Sequence, residues 1–171
     1  MPTTNYLLVP SVSSERRLYV PIGFMDSEAI ASNLVFIIPN ATLAHFAVLT
    51  SSVHMAWMRA VCGRLEMRYR YSKDVVYNNF PWPQALGAQA SSPATITLLT
   101  QTAQAILDAR AEYPDSTLAD LYDDLTMPPA LRRAHQANDR AVLALYGLSE
   151  NATEEQIVSE LFRRYEMLTR A

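Results

Sequence analysis

From Ser92 onward, apolar residues recur at intervals of three and four with no strand-like run between them, which commits this half of the chain to packed helices. Ser92 and Pro93 open a helix to about Glu112 on a stripe of Ile96, Leu99, Ala103, Ile106 and Leu107, and Tyr113 followed by Pro114 stops it. Ser116 is placed to cap a short helix ending near Leu125, with Leu118, Leu121 and Tyr122 inward. Pro128 and Pro129 open the next, which runs through Leu131, Ala134, Asn138, Val142 and Leu145 to Gly147. Thr153 and Gln156 form a capping box for the last, whose Ile157, Leu161, Tyr165 and Leu168 share one face. Four such helices on short connections predict an antiparallel bundle.

The first half reads differently. Residues 17–24 (RLYVPIGF) and 34–38 (LVFII) are rich in β-branched and aromatic residues and predict strands, with Pro21 confining the first to an edge or interrupting it. Asn40 or Thr42 caps a long helix to about Cys62, using Leu43, Phe46, Thr50, Val53, Trp57 and Val61, and Gly63 is placed to end it with positive φ. An extended strand then leaves Gly63 directly, residues 75–80 predict a second strand, and Pro81-Trp82-Pro83 closes the segment. The small and polar run QALGAQASS separates the halves, so the expected organisation is α+β, with a mixed domain over 1–83, a linker over 84–92 and a helical domain over 93–171.

Several functions find no residues to carry them. Cys62 is the only cysteine, which rules out an internal disulfide and a cysteine metal site, and it reads as a core thiol. His45 and His54, nine apart on one expected helix, would point in opposite directions, and His135 stands alone. Asp120, Asp123 and Asp124 read as a solvated helix face rather than a metal cluster. There is no glycine-rich phosphate loop and no Asn-Pro-Pro-aromatic motif of amino-methylating enzymes, so no catalytic, cofactor or metal residue is expected in this chain. No secretory signal or run of eighteen apolar residues is present, which makes the cytoplasm the default location.

Charge points elsewhere. Net charge is −3 overall, yet residues 59–73 hold five basic side chains and one acidic, while the helical half is acidic. Such clustering is the footprint of a surface for a polyanion. Within RLEMRYRYSKDVVYNNFPWP, side chains two apart on a strand share a face, so Glu66, Arg68, Arg70 and Ser72 would point one way and Met67, Tyr69 and Tyr71 the other. Arginine can bond bidentately to guanine, and glutamate can accept from the paired cytosine, so Glu66 and Arg68 together could read one G·C pair. An exposed same-side ion pair of little energetic worth explains the same residues. Ser13, Ser14, Arg16 and Arg17, just before a strand, suit phosphate contact, as a polar loop would also explain.

Four segments, SSERRLYVPIGF, IPNATLAHFAVLTSSVHMAWMRAVCGRL, RYSKDVVYNNFPWP and LYDDLTMPPALRRAHQANDRAV, resemble the C-terminal part of the MmeI-type single-chain restriction–modification enzymes and their methyltransferase relatives. The resemblance covers nearly the whole chain and implies a fragment: the later part of a target-recognition domain plus a helical C-terminal domain. It implies a longer polypeptide that methylates adenine with S-adenosylmethionine, with Mg where a nuclease domain is present, and partners that are double-stranded DNA and the methyltransferase domain of the same polypeptide. No membrane is implied.

At the positions matching Glu66 and Arg68, relatives carry either Glu and Arg or Lys and Asp, an exchange that tracks which way round a G·C pair is read. Arg70 matches a further specificity position, paired with a residue near Leu34; Leu34 departs from the small or basic residue expected there. The resemblance thus assigns Glu66, Arg68, Arg70 and Leu34 to base reading, and the charge and hydroxyls of Ser13, Ser14, Arg16, Arg17, Arg64, Ser72 and Lys73 make these the expected contacts to the DNA backbone. A docking module of a larger methyltransferase assembly, with no base readout, is the alternative.

Overall fold

The computed structural model of the protein describes residues 6–25, 32–86 and 92–170, so most of the expected linker lies outside the described residues. Among them, two antiparallel three-stranded sheets are followed by a helical bundle, the α+β order expected. In the first sheet β1 (Tyr6–Pro10) lies between β3 (Gly23–Met25) and β4 (Val35–Pro39). After Ser11 the same strand resumes as β2 (Val12–Ser13), which pairs with β6 (Arg68–Arg70), itself paired with β5 (Gly63–Leu65). Ser11 joins the sheets: its N–H and Oγ donate to the Leu34 carbonyl at 2.9 and 2.6 Å, and its carbonyl accepts from the Tyr71 N–H at 2.8 Å.

Three expected elements differ. The strand over residues 17–24 shrinks to β3, because the stretch before it is bound to helices instead of a ladder. Tyr19, Val20 and Ile22 are all buried, Arg110 donates to the Ile22 carbonyl at 2.8 Å, and Pro21 has no N–H to give.

The long helix is two: α1 (Leu43–Leu49), with its capping box at Thr42, and α2 (Ser52–Val61), capped by Ser51. The break falls in Thr50-Ser51-Ser52, where hydroxyls compete for the backbone; Ser51 Oγ donates to Val48 O at 2.7 Å and accepts the His54 N–H. The separate axes let α1 pack on α3 (Pro93–Ala111) and α2 on α6 (Glu154–Thr169). Gly63 does not terminate α2 with positive φ; Cys62 is the cap, in an extended conformation, and is only half-buried.

Residues 75–80 form no strand. A π-helical turn, Lys73–Tyr77, takes their place: Ser72 caps it, Asn78 N–H bonds to the Lys73 carbonyl at 2.9 Å, and the Trp57 indole N–H takes the Val76 carbonyl at 2.9 Å.

The remaining helices follow their sequence signals. α4 (Leu118–Leu121) is capped by Thr117 rather than Ser116, α5 (Pro129–Leu145) begins on its prolines, and Gly147, at φ 70°, lies just past its end. One continuous core runs from Leu7 and Val9 to Ile157 and Leu161. A buried polar seam fastens the bundle to the first half. Tyr19 OH donates to Asp139 at 2.6 Å, Asp139 accepts the Ser52 N–H at 2.7 Å, and Asn138 donates to the Ala47 carbonyl at 2.7 Å while accepting from Thr102. Tyr122 OH bridges Arg110 and His135. Tyr19, Asp139, Asn138, Arg110 and Tyr122 are each hydrogen-bonded here, the condition for such a seam to hold rather than weaken the core.

His54 lies wholly inside this core, edge-on to Phe80 and hydrogen-bonded through Nε2 to Tyr71 OH at 2.9 Å. Burial pushes its pKa down from 6.5 to about 3. The unfolded chain therefore takes up this proton first, and the stability His54 contributes is full above pH 6.5 and lost as pH falls toward 3. His135 acts in the same sense, and Asp139, raised by burial, in the opposite one. A His54→Gln variant removes one titration, so its unfolding free energy should fall less steeply with acidification, by about 1.4 kcal/mol per pH unit. Denaturant titrations from near neutrality to about pH 4 measure this; parallel slopes would mean that His54 accepts its proton without unfolding.

Candidate nucleic-acid interface

The basic segment is a hairpin, not one extended strand. Gly63 pairs with Arg70, Arg64 with Tyr69 and Leu65 with Arg68, leaving Glu66 and Met67 as a two-residue loop. Such loops require positive φ, and Glu66 supplies it at 56°, a conformation costing a non-glycine residue about 1–2 kcal/mol. The turn, rather than strand alternation, brings Glu66 to Arg68, whose Nη2 donates to Oε2 at 3.0 Å. Both are exposed, so the pair adds roughly 0–1 kcal/mol to stability. Its consequence is positional: an acceptor and a donor sit side by side at the hairpin tip.

Residues opposite each other in a ladder, and residues two apart on a strand, project from one face. Leu65, Arg68 and Arg70 therefore share a face. Arg68 and Arg70 are exposed on it, and the Arg70 side chain has no hydrogen bond or ion pair among the described residues. Tyr69 projects from the other face into the core; Arg64, exposed at its edge, lies over its ring at 4.1 Å and donates to the Met67 carbonyl at 3.3 Å. Leu34 is exposed and reaches the same region through Ser11, which bonds to Leu34 on one side and to Tyr71, next to Arg70, on the other.

The expected backbone contacts divide. Arg16 and Lys73 are exposed, Lys73 lying 3.8 Å from Asp74. Arg17 turns toward α4, donating to the Ala119 carbonyl at 3.5 Å, while the Ser14 and Ser72 hydroxyls accept the Arg16 and Val75 N–H groups. Ser13 departs from expectation. It pairs with Tyr69, points the same way into the core, and is 4% exposed, so its hydroxyl is not presented to a ligand. Arg59 also leaves the basic cluster, held by Glu154 at 2.8 Å. Tyr71 is buried, and Trp82 is half-buried among Tyr77, Phe80 and His45. Ser11, which sets the relation of Leu34 to Arg70, carries no sequence signal beyond a hydroxyl between Pro10 and Val12. Among the described residues no group of His, Cys, Asp and Glu is placed to hold a metal, and no helix is long and apolar enough to cross a membrane.

Residues 1–84 match the family model "MmeI, target recognition domain" and residues 91–171 match "MmeI, C-terminal domain". The chain is 39% identical over 168 residues to DNA methyltransferase A of Bacillus subtilis (strain 168), covering 98% of this chain and 18% of that protein. It is also similar to a solved structure of the type IIL restriction-modification enzyme MmeI in complex with DNA, with 45% identity and a TM-score of 0.91 over 99% of this chain and 22% of that one. A mixed α/β region bearing an exposed charged hairpin, carried on a helical bundle, is thus the arrangement of a target-recognition domain followed by its C-terminal domain. The chain belongs to the MmeI family, and it spans about a fifth of the length of the relatives it matches.

Proposed function

We propose that this chain is the sequence-reading part of an S-adenosylmethionine-dependent adenine-specific DNA methyltransferase or restriction–modification enzyme, and that its β5–β6 hairpin reads base edges in the major groove. The observation that carries this is the hairpin tip, where Glu66 and Arg68 lie 3.0 Å apart, exposed, with Arg70 on the same face. Arginine donors suit guanine O6 and N7, and the glutamate oxygen suits the amino group of the cytosine paired with it. Arg70 reads or anchors beside them, with Leu34 flanking it. Arg16, Lys73 and, from the opposite face, Arg64 contact phosphates and set register. S-adenosylmethionine supplies the methyl group elsewhere in a longer polypeptide, whose methyltransferase domain is this chain's intramolecular partner. The residues here include no Asn-Pro-Pro-aromatic motif of amino-methylating enzymes to work beside that cofactor.

Base reading and phosphate contact have different signatures. Arg68→Ala should cost about 1–3 kcal/mol at one base pair of the site and relax the preference there. Lys73→Ala should weaken binding to every duplex and reduce the salt slope by about 1. Affinities measured across single-base-pair variants of the site at several salt concentrations separate the two. Uniform weakening by Arg68→Ala would remove it from the set of base readers.

A further inference from the structure

Leu65 is the exposed apolar side chain on a face it shares with Arg68, Arg70 and the half-buried Val12, which lies opposite Arg70. Leu65 itself lies opposite Arg68 in the ladder, so the two project together with Cβ atoms about 5 Å apart. It is 41% exposed and does not belong to the hydrophobic core. Gly63, opposite Arg70, adds no side chain, and a Cβ built there would meet nothing within 4 Å. The face therefore offers two guanidinium groups, the exposed isobutyl group of Leu65 at the hairpin end, the half-buried Val12 at its β2 edge, and open space over Gly63.

The major groove has one apolar feature, the 5-methyl group of thymine. We propose that Leu65 is a further specificity residue, taking the 5-methyl of a thymine in the base pair next to the one read by Glu66 and Arg68. This inference rests on the hairpin being a base reader. The spacing suits it: a lateral offset of about 5 Å exceeds one base-pair rise of about 3.4 Å and falls short of two. Reach suits it as well. The methyl projects from the base edge into the groove, so a short leucine meets it where a guanine edge needs the length of arginine. Burying a leucine against it gives a contact that cytosine, which lacks the methyl, cannot return.

Uracil differs from thymine only by that methyl. The test uses the longer polypeptide that carries this chain, with its site first mapped from methylated adenines. Each thymine flanking the pair read by Arg68 is replaced by uracil, and duplex affinity is measured for the wild type, Leu65→Ala and Met67→Ala. One uracil should weaken the wild type about fourfold, the worth of one methyl kept out of water, and Leu65→Ala should bind the thymine and uracil duplexes equally. A site with no thymine beside that pair, a wild type indifferent to uracil, or a sensitivity abolished by Met67→Ala and retained in Leu65→Ala would overturn the assignment. Arg68→Ala on the same duplexes separates this failure from a wider one: if it weakens all sequences alike, base reading by the hairpin fails too, whereas position-specific relaxation with an unresponsive wild type defeats the Leu65 contact alone. Leu65 lies outside the core, so equal thermal melting of variant and wild type establishes that folding is unchanged.

Discussion

Exchanging Glu66→Lys together with Arg68→Asp is expected to turn over one base pair of the methylated site and leave the others as they were. Turning over a G·C pair exchanges the positions of the guanine acceptors and the cytosine amino donor, so an acceptor followed by a donor must become a donor followed by an acceptor. Lysine and aspartate do this at the same two backbone positions. The net charge of the tip is unchanged, so the phosphate attraction that gives sequence-independent affinity, and its salt slope, should stay as they are. Each correct pairing discriminates by about 1–3 kcal/mol, so the preferred orientation should reverse rather than merely weaken. Arg68→Asp alone places two carboxylates side by side against DNA and should abolish methylation at the original site without creating a new one. Mapping methylated adenines made by the parent polypeptide of each variant decides the matter. An unchanged site in the double variant would mean that neither side chain touches a base.

The helical half was legible because its signals are local. The three- and four-residue spacing, the prolines at the starts of α3 and α5, the Thr153–Gln156 box and Gly147 each fix a boundary without reference to the rest of the chain. The hairpin was not, because its loop residues Glu66 and Met67 lack the Asn-Gly or Gly signature of a two-residue turn, and the pairing of β6 with β2 reaches back more than fifty residues. The split between α1 and α2 was hidden for a related reason, since Thr50, Ser51 and Ser52 keep the apolar period intact while their hydroxyls cut the backbone ladder. Arg68 and Arg70 fell on one face as expected, but Glu66 reaches Arg68 through a turn that period-two counting cannot see. Ser13 illustrates the opposite limit. Its neighbours are basic and polar, yet its register against Tyr69 sends it inward.

Trp57→Ala should be the most destabilising single substitution considered for this chain, costing about 3–5 kcal/mol. The side chain is 2% exposed and sits where three parts of the fold meet: Phe162 and Tyr165 of α6 lie 5.2 and 6.0 Å away, Phe80 lies 6.3 Å away, and its own helix is α2. Truncation leaves a cavity among these rings and removes the partner of the buried Val76 carbonyl, a further loss of about 1–3 kcal/mol. Trp57→Phe keeps most of the packing and loses the hydrogen bond, so its smaller cost isolates the second contribution. That bond has a functional meaning, because Val76 belongs to the π-helical turn that follows β6 within three residues of Arg70. The bundle thus supports the face proposed to read bases through one indole: α6 packs on Trp57, and Trp57 holds the turn that follows the hairpin. Denaturant unfolding should show a lowered midpoint with an unchanged slope for Trp57→Phe. Its effect on duplex affinity should be spread over all base pairs rather than confined to one, as expected of a support rather than a reader. A loss below about 1 kcal/mol for Trp57→Ala, within the range of ordinary surface changes, would show that the two halves are stable without this joint.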